Sequence, residues 1–115
     1  MTLSHLSLKK ARQKLQNKEL SSKELTQFFI SRIEASSSLN AFITLTFEKA
    51  LSQADASDQR LMRGDARLLE GIPLGIKDLF CTKGTRTTAG SQILDQFIPP
   101  YESTVTQNLW NQGAV

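Results

Sequence analysis

Lys77 stands in "GIPLGIKDLF", residues 71–80, an otherwise apolar run with glycines on its N-terminal side. Lysine is almost never fully buried unless it is paired. A lysine that works as a base must be neutral, and apolar surroundings favour the neutral form by lowering its pKa. Moving a lysine from about 10.4 to about 7 costs about 4.6 kcal/mol of differential stabilisation. A glycine-flanked, apolar strand end is the kind of site that can impose this cost. The residues alone leave a second reading open, in which Lys77 ends a strand and its head reaches solvent. Pairing with Asp78 is geometrically poor, because adjacent residues of a strand point to opposite faces.

The other chemically capable side chains carry weaker signals. His5 is the only histidine and lies near the N-terminus, which argues against a metal site. Cys81 is the only cysteine; it can form no intramolecular disulfide and reads as a passive small residue after the strand. Ser91, in "TAGSQI", reads as a loop serine engaged in hydrogen bonds. Asp78 reads as a support for the following loop through main-chain N–H groups. The glycines of "KGTRTTAG" do not have the spacing of a phosphate-cradling loop. No Gly-x-Ser-x-Gly elbow is present.

These residues need a scaffold, and 115 residues suffice for one small domain. Apolar residues make up 39% and charged residues 22%, an ordinary globular balance that excludes a disordered chain. The net charge of +3 is a weak nucleic-acid signal without a basic patch or binding motif. No apolar run approaches the roughly 20 residues that span a bilayer. The first eighteen residues carry five basic side chains and no acid, which is transit-peptide-like. Leu8, Ala11 and Leu15 recur at helical spacing there, so Lys9, Lys10, Arg12 and Lys14 read as the solvated face of a surface helix.

Helices are expected at about 7–17, 21–36, 47–63 and 103–112. Ser21 and Glu24 fit a capping box, with Leu20 and Leu25 as a hydrophobic staple. Leu25, Phe28, Phe29 and Ile33 are expected to form the buried face of the second helix. Leu51, Ala54, Leu61 and Met62 mark the third, with Gly64 as its C-cap. Ser103 caps the fourth, Val105, Leu109 and Trp110 face inward, and Gly113 ends it. "NAFITLT" and the Lys77 run favour strands at about 41–46 and 72–78. Alternating helices and strands predict an α/β fold with a sheet covered by helices. With only two complete strands, the chain reads as the opening part of one larger domain, incomplete here.

"GIPLGIKDLFCTKGTRTTAGSQIL" followed by "PPYESTVTQNLWNQGAV" resembles the amidase signature family. "LSSKELTQFFISRIE", "LNAFITLT" and "QADASDQRLMRGD" resemble the N-terminal part of its tRNA-dependent branch, the glutamine-hydrolysing subunits of aspartyl/glutamyl-tRNA amidotransferases. The resemblance covers nearly the whole chain, and the Gly-Ile-Pro-x-x-Ile-Lys-Asp core is its most specific element.

The resemblance implies that residues 1–115 are the N-terminal portion of a single amidase domain with a mixed sheet. It implies that Lys77 is the base of a Ser–cis-Ser–Lys triad. The nucleophile and the bridging serine then lie outside this chain, so the 115 residues alone are not expected to hydrolyse glutamine. It further implies partner subunits B and C, misacylated tRNA reached through the complex, and L-glutamine as substrate. ATP and Mg would be used by a partner subunit, with no cofactor bound by this chain. The expected location is the cytoplasm, or an organellar matrix in a eukaryote. A stand-alone amidase of the same family and a truncated non-catalytic module are the alternatives.

Overall fold

The computed structural model describes residues 3–115. Residues 1 and 2 of the basic N-terminal stretch lie outside the described residues. Four α-helices follow a short 3-10 turn at Leu3–His5: α1 (Leu8–Gln16), α2 (Ser22–Ala35), α3 (Phe47–Met62) and α4 (Thr104–Asn111). A second 3-10 turn, Ser37–Leu39, follows α2.

Serine starts three of the four helices. The hydroxyls of Ser7 and Ser103 accept the N–H of Lys10 and Thr106, each at 3.2 Å. Ser21 makes the full capping box: its hydroxyl accepts the Glu24 N–H and its own N–H donates to the Glu24 carboxylate, both at 3.0 Å. Asp58 of α3 completes the same helix start from outside. Its carboxylate accepts the N–H groups of Ser22 at 2.6 Å and Lys23 at 3.1 Å. The first three N–H groups of α2, which no intrahelical carbonyl can reach, are thereby all satisfied. The acid also sits at the positive end of the helix dipole.

α2 packs on α3, and Ala11, Leu15, Leu25, Leu61 and Ile72 form the buried cluster, with Leu6 and Leu20 against it. Ser22 is fully buried and its hydroxyl donates to the Gly71 carbonyl at 2.8 Å. This brings the loop before Lys77 onto α2 so closely that a Cβ on Gly71 would lie 2.8 Å from that of Ser22. Gly71 has φ +77°, a conformation that glycine adopts at no steric cost.

The buried faces differ from those expected. On α2 the buried residues are Ser22, Leu25, Thr26 and Ile30, while Phe29 is exposed and Phe28 and Ile33 are not fully covered. Met62 on α3 is 75% exposed, and Ala54, Ser57 and Leu61 form its buried stripe. On α4 Thr106 is buried and Val105 exposed; Leu8 of α1 is also exposed. The cause is common to α2 and the segments near it. Phe29, Ile33, Phe42, Leu45, Leu74 and Trp110 line an open groove of about 1040 Å³ rather than a closed core.

The expected strands at 41–46 and 72–78 are not found; no strand occurs among the described residues. The 41–46 segment bends at Ile43–Thr44, and among the described residues the main-chain N–H groups of 41–45 have no carbonyl partner. It is tied down by a side chain instead, with Arg86 donating to the Thr44 hydroxyl at 3.2 Å. Residues 72–77 are irregular, but the start of this run pairs with the chain after α4. Val115 donates its N–H to the Ile72 carbonyl at 2.9 Å and accepts from the Leu74 N–H at 2.8 Å. Gly71 N–H reaches the Gly113 carbonyl at 2.9 Å. The Val115 bonds straddle Pro73 as in a parallel pair. A regular strand needs such bonds repeated along its length, and β propensity in these residues does not supply the partner.

Candidate active site

Lys77 lies at the end of the irregular run 72–77, seven residues after Glu70. Its side chain is exposed and lines the apolar groove with Leu74, Ile76 and Phe80. Among the described residues no hydrogen bond or ion pair holds its ammonium group. Its carbonyl accepts the Phe80 N–H at 3.1 Å, so the chain turns immediately after it.

The neighbouring Asp78 is engaged with the loop that follows. Its carboxylate accepts the Thr88 N–H at 2.9 Å and also the Thr88 hydroxyl. Its carbonyl accepts the Ala89 N–H at 2.8 Å. Burial acts to raise the Asp78 pKa, but the two bonds from Thr88, with the Gly90 N–H and the Arg86 charge, together hold the carboxyl below its ordinary range. Asp78 therefore supports the loop as a carboxylate, the role its sequence position suggested.

The remaining candidates fall outside any constellation with Lys77. The Ser91 hydroxyl accepts the Ile93 N–H at 3.2 Å, within its own loop. The Cys81 thiol donates to the Tyr101 hydroxyl at 3.4 Å, and this contact raises the Tyr101 pKa. His5 is exposed in the first 3-10 turn. In the "KGTRTTAG" loop, Gly84 and Thr87 give their N–H groups to the carbonyls of Pro99 and Phe97, both at 3.0 Å. No helix among the described residues is long and apolar enough to cross a membrane. On α1, Lys9 and Lys10 are exposed, and Lys14 pairs with Glu19 at 3.1 Å.

The foundation of the site holds a residue that the sequence motifs did not single out. Glu70, immediately before Gly71, is a buried carboxylate with its side chain 1% exposed. It accepts from Ser57 at 2.7 Å, from Arg60 Nε at 3.0 Å and from Arg67 Nε at 2.9 Å. Burial acts to raise its pKa, but hydrogen bonds from Arg67 and Ser57 and the Arg67 charge leave it lowered. The same contact, led by the hydrogen bond to Glu70, raises the Arg67 pKa. The signal was present: an acid in "LLEGIP" is as anomalous among apolar neighbours as Lys77.

The geometry thus presents a lysine lining an apolar groove on a main chain braced from both sides, with its side chain exposed, as in the second reading of its sequence position and not in a buried strand end. The family described as Amidase matches residues 24–115. The chain belongs to the amidase family. The A subunit of the glutamyl-tRNA(Gln) amidotransferase from Methylocella silvestris is 56% identical over 114 residues, covering 99% of this chain and 23% of the relative. Its counterpart from Sinorhizobium fredii is 57% identical over 114 residues, covering 98% and 23%. Among solved structures, peptide amidase from Stenotrophomonas maltophilia matches with a TM-score of 0.90 at 31% identity, over 96% of this chain and 23% of that one. A bacterial aryl acylamidase of the amidase signature family gives 0.86 at 25% identity, over 96% and 24%. The amidase chain spans about a quarter of the length of these relatives.

Proposed function

We propose that this amidase chain is the lysine-bearing N-terminal part of a glutamine-hydrolysing subunit of a tRNA-dependent amidotransferase. The observation that carries the reading is the identity of more than half to proteins named as parts of such an amidotransferase, sustained over 98–99% of the chain. The structures of stand-alone amidases resemble it at lower identity, 31% and 25%.

Lys77 is the base in this reading. Neutral, it takes a proton from a bridging serine, which takes the proton of a second serine as that hydroxyl attacks the side-chain amide carbon of glutamine. The C–N bond breaks, ammonia leaves with the proton it needs, and a glutamyl ester remains on the enzyme. Water hydrolyses the ester and restores the serine. In this reading both serines come from the remainder of the full-length subunit, and these 115 residues alone are not expected to hydrolyse glutamine. The ammonia serves subunits B and C, where misacylated Glu-tRNA(Gln) or Asp-tRNA(Asn), activated with ATP and Mg, becomes the amide. The reading places the subunit in the cytoplasm, or in an organellar matrix in a eukaryote.

The test is to express the full-length protein with and without its partner subunits. Glutamine hydrolysis coupled to amidation of Glu-tRNA, lost in Lys77→Ala, is the expected result. Efficient hydrolysis of other small amides by the isolated full-length protein, with no stimulation by partners or tRNA, would assign it to the stand-alone amidases.

A further inference from the structure

Glu70 is held by more groups than capping a turn requires. Its Oε1 accepts from Arg60 Nε, Arg67 Nε and, at 3.3 Å, the Arg67 N–H. Its Oε2 accepts from Ser57 and, at 3.0 Å, from a terminal nitrogen of Arg67. The carboxylate therefore joins α3 to the turn that opens the Lys77 run.

Its other face meets Gly113, just beyond α4. A Cβ on Gly113 would lie 2.7 Å from Glu70 Oε2 and 2.9 Å from Glu70 Cα, and Gly113 has φ +89°. Only glycine fits there. The residues on either side, Gln112 and Ala114, both carry a Cβ, so sliding the chain by one position drives a methylene or methyl into the carboxylate. The contact selects the alignment in which Gly71 bonds Gly113 and Val115 brackets Pro73.

We propose that Glu70 and Gly113 form a register key for the run that carries Lys77, which makes Glu70 a positioning residue. The inference rests on the reading of Lys77 as the base. A slip of one residue in an extended pair turns every side chain to the opposite face. A slip over the paired Gly71–Leu74 would therefore shift Lys77, three residues on, from its place in the groove. Glu70 and Lys77 are seven residues apart and none of the Glu70 hydrogen bonds reaches Lys77, so Glu70 acts on Lys77 through alignment and not through contact.

The test uses the full-length protein with its partner subunits and four variants: Glu70→Gln, Gly113→Ala, Ser57→Ala and Lys77→Ala. Melting temperature, glutaminase kcat and KM, and the pH dependence of kcat/KM are read for each. Glu70→Gln keeps the size of the side chain but turns one acceptor into a donor facing Arg67 or Ser57. It should lower kcat about tenfold or more with KM changed less than about twofold, and displace the limb on which activity rises as the base loses its proton. Gly113→Ala should give the same pattern. Ser57→Ala removes a single bond and should shift kcat in the same direction by less; it decides the matter if the first two do not fold. Variants that melt earlier but keep the parental kcat and pH limb would overturn the register key. Lys77→Ala with near-normal turnover would instead overturn the base reading, and the inference with it.

Discussion

The carboxylate of Asp78 grips Thr88 twice, at its N–H and at its hydroxyl. The residue next to the proposed base is thereby tied to the loop ten positions on, where Ala89 and Gly90 both have positive φ. Replacing Asp78 with alanine leaves the buried Thr88 without its acceptor. An unsatisfied buried donor costs about 1–3 kcal/mol. Asp78→Ala should accelerate amide hydrogen exchange at Thr88, Ala89 and Gly90 in the full-length protein while exchange in α2 and α3 stays slow. Unchanged protection at these three amides would remove Asp78 from the support of the loop.

Gly71 is the point where the Lys77 run crosses α2. An added Cβ would meet Ser22 Cβ at 2.8 Å and its hydroxyl oxygen at 2.9 Å, neither of which can swing away while Ser22 bonds the Gly71 carbonyl. Overpacking and the positive φ each cost about 1–3 kcal/mol. Gly71→Ala should therefore lower the chemical-denaturation midpoint of the full-length protein well beyond the effect of Gly75→Ala. Around Gly75 an added Cβ meets nothing within 4 Å. Equal effects at the two glycines would show that the crossing is looser than its geometry.

What could be read in advance divides along the reach of each interaction. The starts of α2 and α4 were readable because Ser21, Glu24 and Ser103 cap within the first turn of their own helices. The buried faces were readable only in part: Leu25, Ala54 and Leu61 are buried as expected, but Phe29, Ile33 and Met62 are apolar at helical spacing whether or not anything covers them. The 41–46 segment has strand composition, yet pairing is a property of two segments, and its carbonyl and N–H partners are not specified by its own residues. Lys77 stood out as a charge in an apolar run, and the family resemblance implies a role for it that the Lys77 variants test. Glu70 met the same criterion. What hid it was distance in sequence, since Ser57, Arg60 and Gly113 become its neighbours only after folding.

Acid should expose the cost of the Glu70 cluster. Its folded pKa lies below the ordinary glutamate value of about 4.3. A lowered folded pKa contributes stability that is fully present above the unfolded value and is lost as pH falls through the folded one. The parent should lose stability steadily as pH falls below about 4.3, and Glu70→Gln should flatten that slope. The variant should also be less stable at neutral pH, because Arg60 and Arg67 lose their shared buried partner, by less than for a fully buried pair since both arginines remain about a third exposed. Denaturant midpoints measured from about pH 7 down to about pH 3 check both. Parallel curves for parent and variant would mean that Glu70 binds protons alike in the folded and unfolded states.

Lys77→Arg separates a base from a mere positive charge. Arginine keeps its proton throughout the accessible pH range and cannot accept one from a serine. If Lys77 served the groove only as a cation, the substitution would be mild. As the base, it should reduce glutaminase activity by about a hundredfold or more. Ammonium salts added to the complex supply the same ammonia without hydrolysis of glutamine, so amidation of Glu-tRNA should persist in the variant when ammonia replaces glutamine. Loss of both activities would point to a damaged fold. Retention of glutamine-dependent amidation would take proton transfer away from Lys77.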